Sequence, residues 1–164
     1  MTTPHTDNPY ALNEYPAPAP ADVESLDQEE CWRLLGSTDF ARLAVADDHG
    51  ADIFPINFLA KGRSLFFRSG PGTKIVSLTR TPGVALEVDG IDDRKRWSVV
   101  VRGDARRLNV DAEIDASGVA DLHSLTTSDK WNYFEVVPRV VTGIRFRAAR
   151  RPMSEPVELA DDLS

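Results

Sequence analysis

The chain has 164 residues, of which 41% are hydrophobic and 27% charged, proportions typical of a soluble globular domain with a sizeable core. No apolar run approaches the roughly 20 residues of a membrane-spanning helix. The N-terminus has no basic start and no apolar stretch of the kind found in a secretory signal, and the single cysteine, Cys31, excludes an internal disulfide. We therefore expect a cytoplasmic protein.

The net charge of −7 belongs to the two ends of the chain. Residues 1–25 and 154–164 together carry eight acidic residues and no lysine or arginine, which leaves 18 acidic against 19 basic residues between them. A nearly neutral body lacks the broad positive surface of a nucleic-acid-binding protein, which argues against an oligonucleotide-binding barrel. It still permits positive charge to be concentrated at one small anion site.

The composition predicts three segments. Residues 1–24 form a flexible arm rich in Pro and Ala, residues 25–150 form one domain, and residues 151–164 form an acidic tail. The domain begins with a helix over residues 26–35, for which Ser25 is the predicted N-cap and Gly36 the stop signal.

After Gly36 the apolar pattern changes from a helical period to strict alternation. Six strands are predicted, mostly in hairpin order, at residues 39–47, 51–60, 64–69, 84–90, 96–109 and 136–150. A short helix over 73–80 follows the third strand, a second over 111–122 is interrupted at Ser117 and Gly118, and the fifth strand is bent near Gly103. Closure removes exposed strand edges, so the pattern favours a small closed or nearly closed antiparallel barrel.

The turn after the third strand, in "LFFRSGPGTKIVSL", gathers groups that suit an anion. Gly70 and Gly72 allow a ligand to approach the backbone. Thr73 and Lys74 stand at the start of the predicted helix, and Arg68 at the end of the strand adds a second cation. A terminal phosphate fits this set. An ordinary connecting turn with solvated bases is the alternative, and the turn alone does not decide between them.

Five segments in fixed order carry a resemblance: "GSTDFARLAV", "DIFPINF", "LFFRSGPGTKIVSL", "GVALEVDGID" and "RWSVVVRGDARRL". Together they resemble the pyridoxamine 5′-phosphate oxidase-like family, and more closely its small bacterial members, over residues 26–146. The resemblance implies a mainly β fold, a six-stranded antiparallel split β-barrel with a few short helices. It also implies FMN, or alternatively the deazaflavin coenzyme, bound at a homodimer interface.

The resemblance assigns residues to the cofactor by position. Its phosphate would be held by Arg68, Thr73 and Lys74, with Ser69 assisting. Its isoalloxazine ring would lie along the second and third strands, largely on backbone groups, and its pyrimidine end would reach the fifth strand. The residues at the ring are Phe54, Pro55, Ile56, Asn57, Phe67, Trp97 and Ser98.

The second strand departs from the vitamin-B6 oxidase itself. That enzyme has a basic residue at each end of its motif, where this chain has Asp52 and Asn57. We therefore do not expect pyridoxamine phosphate to be the substrate.

The expected activity is that of a flavin-dependent oxidoreductase, which takes electrons from a nicotinamide or deazaflavin donor and passes them to a small substrate. No catalytic side chain and no metal site are predicted. The alternative is a non-catalytic protein of the same fold that stores or senses a flavin, a deazaflavin or haem. The sequence leaves open whether Trp97 is core or flavin wall, and whether Trp131 and Tyr133 pack the barrel or cover a flavin.

Overall fold

The computed structural model describes residues 23–48, 50–71, 78, 82–123 and 131–147. The strands are β1 (Val23–Leu26), β2 (Phe40–Asp47), β3 (Gly50–Lys61), β4 (Ser64–Ser69), β5 (Gly83–Asp92), β6 (Lys95–Leu108) and β7 (Asn132–Arg147). Two α-helices, α1 (Gln28–Leu35) and α2 (Asp111–Ser117), and one 3₁₀ turn (Val119–Asp121) complete the described elements. None of these helices is long and apolar enough to cross a bilayer.

Six strands form a closed antiparallel ring in the order β3, β2, β5, β6, β7, β4 and back to β3. The predicted split β-barrel is confirmed. The predicted helix over 73–80 falls outside the described residues except for Leu78, which is buried.

A seventh strand, β1, was not predicted. It pairs with residues 143–146 of β7, beyond the point where β4 ends its pairing with residues 132–136. The segment "VESL" is too short to show alternation, and it becomes a strand because the longer β7 leaves an edge to be covered. The first two residues of β1, Val23 and Glu24, belong to the arm predicted over residues 1–24. The rest of the arm and the acidic tail fall outside the described residues.

Strand alternation separates an inner from an outer face all round the ring. In β4, Leu65, Phe67 and Ser69 are buried, whereas Arg68 points to the other side. The interior is apolar, and the rings of Phe67 and Phe134 stack inside it with centroids 5.0 Å apart. Polar side chains able to reach a ligand must therefore lie on the outer face or at the strand ends.

The N-cap of helix α1 is Asp27 rather than the predicted Ser25, and the helix starts at Gln28 instead of residue 26. The Asp27 carboxylate accepts a hydrogen bond from the Glu30 N–H at 2.8 Å, while Ser25 is engaged in β1 opposite Ile144. Glu30 pairs in turn with Arg33 and with Arg145 of β7. Hydrogen bonds from Arg33 and Arg145 lower the pKa of Glu30 from 4.5 to about 2. This ion cluster ties α1 to the barrel.

The long strand β6 changes register against β7 between Arg102 and Gly103, as the predicted bend requires. The backbone of β7 approaches closely here. A Cβ atom at position 103 would stand 2.2 Å from the Val137 carbonyl oxygen. Only glycine leaves room for this approach.

We predict that Gly103→Ala destabilises the protein by about 1–3 kcal/mol, because the added methyl group collides with backbone that cannot rotate away. The measurement is urea unfolding monitored by circular dichroism. Gly83→Ala is the matched control, since the nearest atom to its Cβ among the described residues would be Arg139 Nη2 at 3.9 Å. Equal stability of the two variants would contradict the argument.

We also predict a pH-dependent contribution from Glu30. Because its pKa is lowered on folding, the stabilisation is fully present above pH 4.5 and is lost as the pH falls towards 2. The difference in unfolding free energy between wild type and Glu30→Gln should shrink as the pH falls from 4.5 towards 2. When both proteins also carry Arg145→Met, this difference should shrink less. A difference that stays constant from pH 7 to pH 2 would disprove it.

Candidate functional site

Arg68 stands on the outer face near the end of β4, and two neighbours fix its guanidinium group. Its Nη1 donates to the Ala120 carbonyl at 3.0 Å, and its Cζ lies 4.3 Å from the centroid of the Trp131 ring. Its Nε is buried and has no hydrogen-bond partner among the described residues. A buried donor on a charged group is normally paired, so the Nε side of the guanidinium is a candidate position for an acceptor.

The position of Nε indicates what kind of acceptor fits. Nε and Nη2 share the edge of the guanidinium that forms side-on bidentate pairs with carboxylates and phosphates. Nη1 is engaged by Ala120 and the plane is held against Trp131, so that edge is held in a fixed direction. The residues present therefore fit a phosphate group, and Arg68 is the side chain that would hold it.

Asn57 is a predicted ring residue that lies across from Arg68 on the neighbouring strand. Phe58 and Phe67 form the last pair of the β3–β4 ladder, and Asn57 and Arg68 are the next residues along the two strands. The Asn57 Nδ2 donates to the His123 carbonyl at 2.8 Å. Asn57 and Arg68 thus both bind backbone carbonyls of the segment that follows α2.

The other residues assigned to the phosphate are Ser69, Thr73 and Lys74. Thr73 and Lys74 fall outside the described residues, so their convergence with Arg68 stays a prediction. Ser69 lies on the opposite face of β4 from Arg68, is buried, and donates to the Gly70 carbonyl at 3.3 Å. A role for Ser69 at the phosphate therefore also stays a prediction.

The predicted ring strip on β3 and β4 presents few outward side chains. Phe54 packs against the core, and Ile56 and Phe67 are buried within it. Only Pro55 and Asn57 point outwards. Along most of the strip, the groups that could face a cofactor are those of the backbone.

Trp97 and Ser98 lie elsewhere on the barrel. The Trp97 indole is buried against Gly90, where a Cβ atom would come within 2.5 Å of it. Ser98 faces outwards and donates to Glu87 at 3.0 Å. Within the ring of strands β6 lies opposite β3, three strand spacings or roughly 14 Å along the wall. The structure thus brings Asn57 and Arg68 together but leaves Ser98 apart from them.

Beside Ser98 lies a charged cluster that the sequence did not indicate. Arg42 of β2 pairs with Glu87 at 2.9 Å and with Asp89 at 2.6 Å. The hydrogen bonds that Arg42 donates to the Asp89 and Glu87 carboxylates raise its pKa. The cluster spans β2, β5 and β6, so strand pairing alone brings it together.

Sequence reasoning also gave no function to the carbonyls of Ala120 and His123. Backbone acceptors have no signature in a sequence. The aromatic run "KWNYF" was a usable signal for Trp131, yet its stacking on Arg68 depends on the pairing of β4 with β7. Within the described ranges, no group of three or more His, Cys, Asp or Glu residues could hold a metal ion.

The sequence matches the pyridoxamine 5′-phosphate oxidase family over residues 27–145. This match covers well over half of the chain, and the protein belongs to that family. An uncharacterised protein of Mycobacterium tuberculosis, Rv0080, is 32% identical over 137 residues, which is 79% of this chain and 90% of that protein.

Solved structures agree with this assignment. An FAD-binding protein from Mycobacterium smegmatis is 36% identical, with a TM-score of 0.67 over 77% of this chain and 100% of that one. An FAD-binding protein from Mesorhizobium loti is 26% identical, with a TM-score of 0.69 over 77% of this chain and 98% of that one. These are proteins that the chain is similar to in both sequence and fold.

Proposed function

We propose that this protein binds a flavin nucleotide, with Arg68 holding the phosphate at the end of the ribityl chain, and acts as a flavin-dependent oxidoreductase. The single observation behind the proposal is the buried Nε of Arg68, which no described residue pairs, on a guanidinium fixed by Trp131 and Ala120. Membership of the family and the FAD-binding names of two relatives support the choice of a flavin.

FMN and FAD share the ribityl phosphate, so the Arg68 site suits both. FMN remains the specific prediction, with FAD and the deazaflavin coenzyme as competitors that a binding assay separates. When bound, the flavin supplies hydride or electron transfer. The residues of this chain bind and orient it: Arg68 holds its phosphate, and the outer backbone of β3 supports its ring beside Pro55 and Asn57.

A homodimer is part of the proposal. Ser98 lies opposite β3 on the barrel, so if it contacts the same ring as Asn57, the contact comes from a second copy of the chain. The outer face of β2 and β3 also exposes Phe40 and Ile53, the latter at 67% of its surface. Exposed apolar side chains of this size suit a subunit interface. The cytoplasmic location of the protein also stays a prediction.

We predict that Arg68→Met weakens FMN binding about 10- to 100-fold and leaves riboflavin binding nearly unchanged, because only FMN carries the phosphate. A hydrogen bond to a charged group contributes about 1.5–3 kcal/mol, which sets this range. The measurement is titration of FMN, FAD, riboflavin and the deazaflavin coenzyme, followed by fluorescence.

Arg63→Met is the matched control. Arg63 also lies over a tryptophan, 5.4 Å from the Trp32 centroid, and pairs with Glu29, but it stands at the far end of β4. Arg68→Lys should fall between wild type and Arg68→Met, since it keeps the charge and loses the bidentate edge. An equal loss of riboflavin and FMN affinity would rule out the phosphate assignment.

The second candidate function is non-catalytic storage or sensing of the same ligand, or of a deazaflavin or haem. One observation favours it: the Ser98 hydroxyl, a predicted donor to the ring, is already engaged with Glu87. A redox experiment separates the two functions.

We predict that NADH, NADPH or the reduced deazaflavin coenzyme bleaches the bound flavin under anaerobic conditions, because the exposed strip at Pro55 and Asn57 leaves a ring placed there open to a donor. The measurement is stopped-flow absorbance. Free flavin mixed with each donor is the control. Bleaching no faster than in free flavin would favour storage.

A further inference from the structure

The segment 116–123, here named the strap, crosses the outer face of β3 and β4. Three strand side chains donate to its carbonyls: Lys61 to Ala116 at 2.7 Å, Arg68 to Ala120 at 3.0 Å and Asn57 to His123 at 2.8 Å. They bind the strap at its beginning, middle and end. These three hydrogen bonds fix the path of the strap against the barrel.

Inside the strap, local contacts shape the chain. Gly118 takes a left-handed conformation with φ of 79°, which ends α2 and turns the chain. The Ser117 hydroxyl accepts the Val119 N–H at 3.1 Å, and the Val119 side chain is fully buried. The centre of the strap is therefore anchored by packing.

The end of the strap borders an open pocket of about 220 Å³, lined by Asp39 and Leu59 on one side and by Leu122 and His123 on the other. Asn57 holds this end through the His123 carbonyl, as Lys61 holds the beginning of the strap through the Ala116 carbonyl.

We propose that Lys61 is a positioning residue for the cofactor phosphate and acts through the strap. This role rests on the proposed function: Lys61 holds Ala116, the strap connects Ala116 to Ala120, and the Ala120 carbonyl holds Arg68. The carbonyl and Trp131 together fix the guanidinium edge that binds the anion. Without its Lys61 anchor the beginning of the strap is held less firmly, and the Ala120 carbonyl constrains Arg68 less tightly.

Lys61→Met tests this proposal, because methionine keeps the apolar stem and removes the donor. In the flavin-free protein, we expect faster amide hydrogen exchange over residues 116–123 and unchanged exchange in the barrel strands. FMN affinity should fall roughly 2- to 10-fold, the range of one net hydrogen bond, while riboflavin affinity stays constant. Lys61→Arg keeps a donor and should restore both properties.

Lys95→Met is the matched control, since Lys95 is also a strand lysine but pairs with Glu24 at 3.8 Å, away from the strap. Unchanged strap exchange in Lys61→Met, or faster exchange with wild-type FMN affinity, overturns the role of Lys61 and leaves the proposed function standing. Failure of the wild-type protein to bind any flavin overturns both.

Discussion

The pairing of β6 with β7 closes six antiparallel strands into a ring, and the rest of the structure depends on this closure. Once the ring is closed, each strand residue faces either the apolar interior or the outer surface. Phe67 is sealed inside against Phe134, while Arg68, the next residue, faces out. A ligand site on this protein must therefore use alternate side chains, exposed backbone and the ends of strands. The bulge at Gly103 lets two long strands curve enough to complete the ring.

Arg68 connects the barrel to the chemistry proposed for it. Its charge is partly withdrawn from water, which strengthens its interaction with an anion and makes an unpaired donor costly. The Trp131 ring and the Ala120 carbonyl hold the guanidinium plane without occupying the edge at Nε. The site is thus organised before a ligand arrives, which lowers the entropy lost on binding. The strap extends this organisation across β3 and β4 through Lys61 and Asn57.

Two features of the outer surface bear on the choice of substrate. Asn57 stands where the resemblance to the vitamin-B6 oxidase would require a basic residue, and it is committed to the His123 carbonyl. On the opposite wall, Arg42, Glu87 and Asp89 form a charged cluster beside Ser98. Neither feature favours a phosphorylated pyridoxamine on β3. Membership of the oxidase family therefore identifies the fold, whereas the substrate depends on the side chains of the local surface.

The sequence by itself determined the barrel, because alternation, turn residues and the glycine at position 103 are local signals that closure only reinforces. It also singled out Arg68, since a cation at the end of a strand beside glycines is visible in the chain. It missed β1, whose four residues become a strand only where β7 provides an edge. Only the tertiary structure decided that Arg68 rests on Trp131, that Lys61 and Asn57 hold the strap, and that Ser98 lies on the far wall. These relations join residues distant in sequence through backbone carbonyls and strand pairing, which no side-chain pattern encodes.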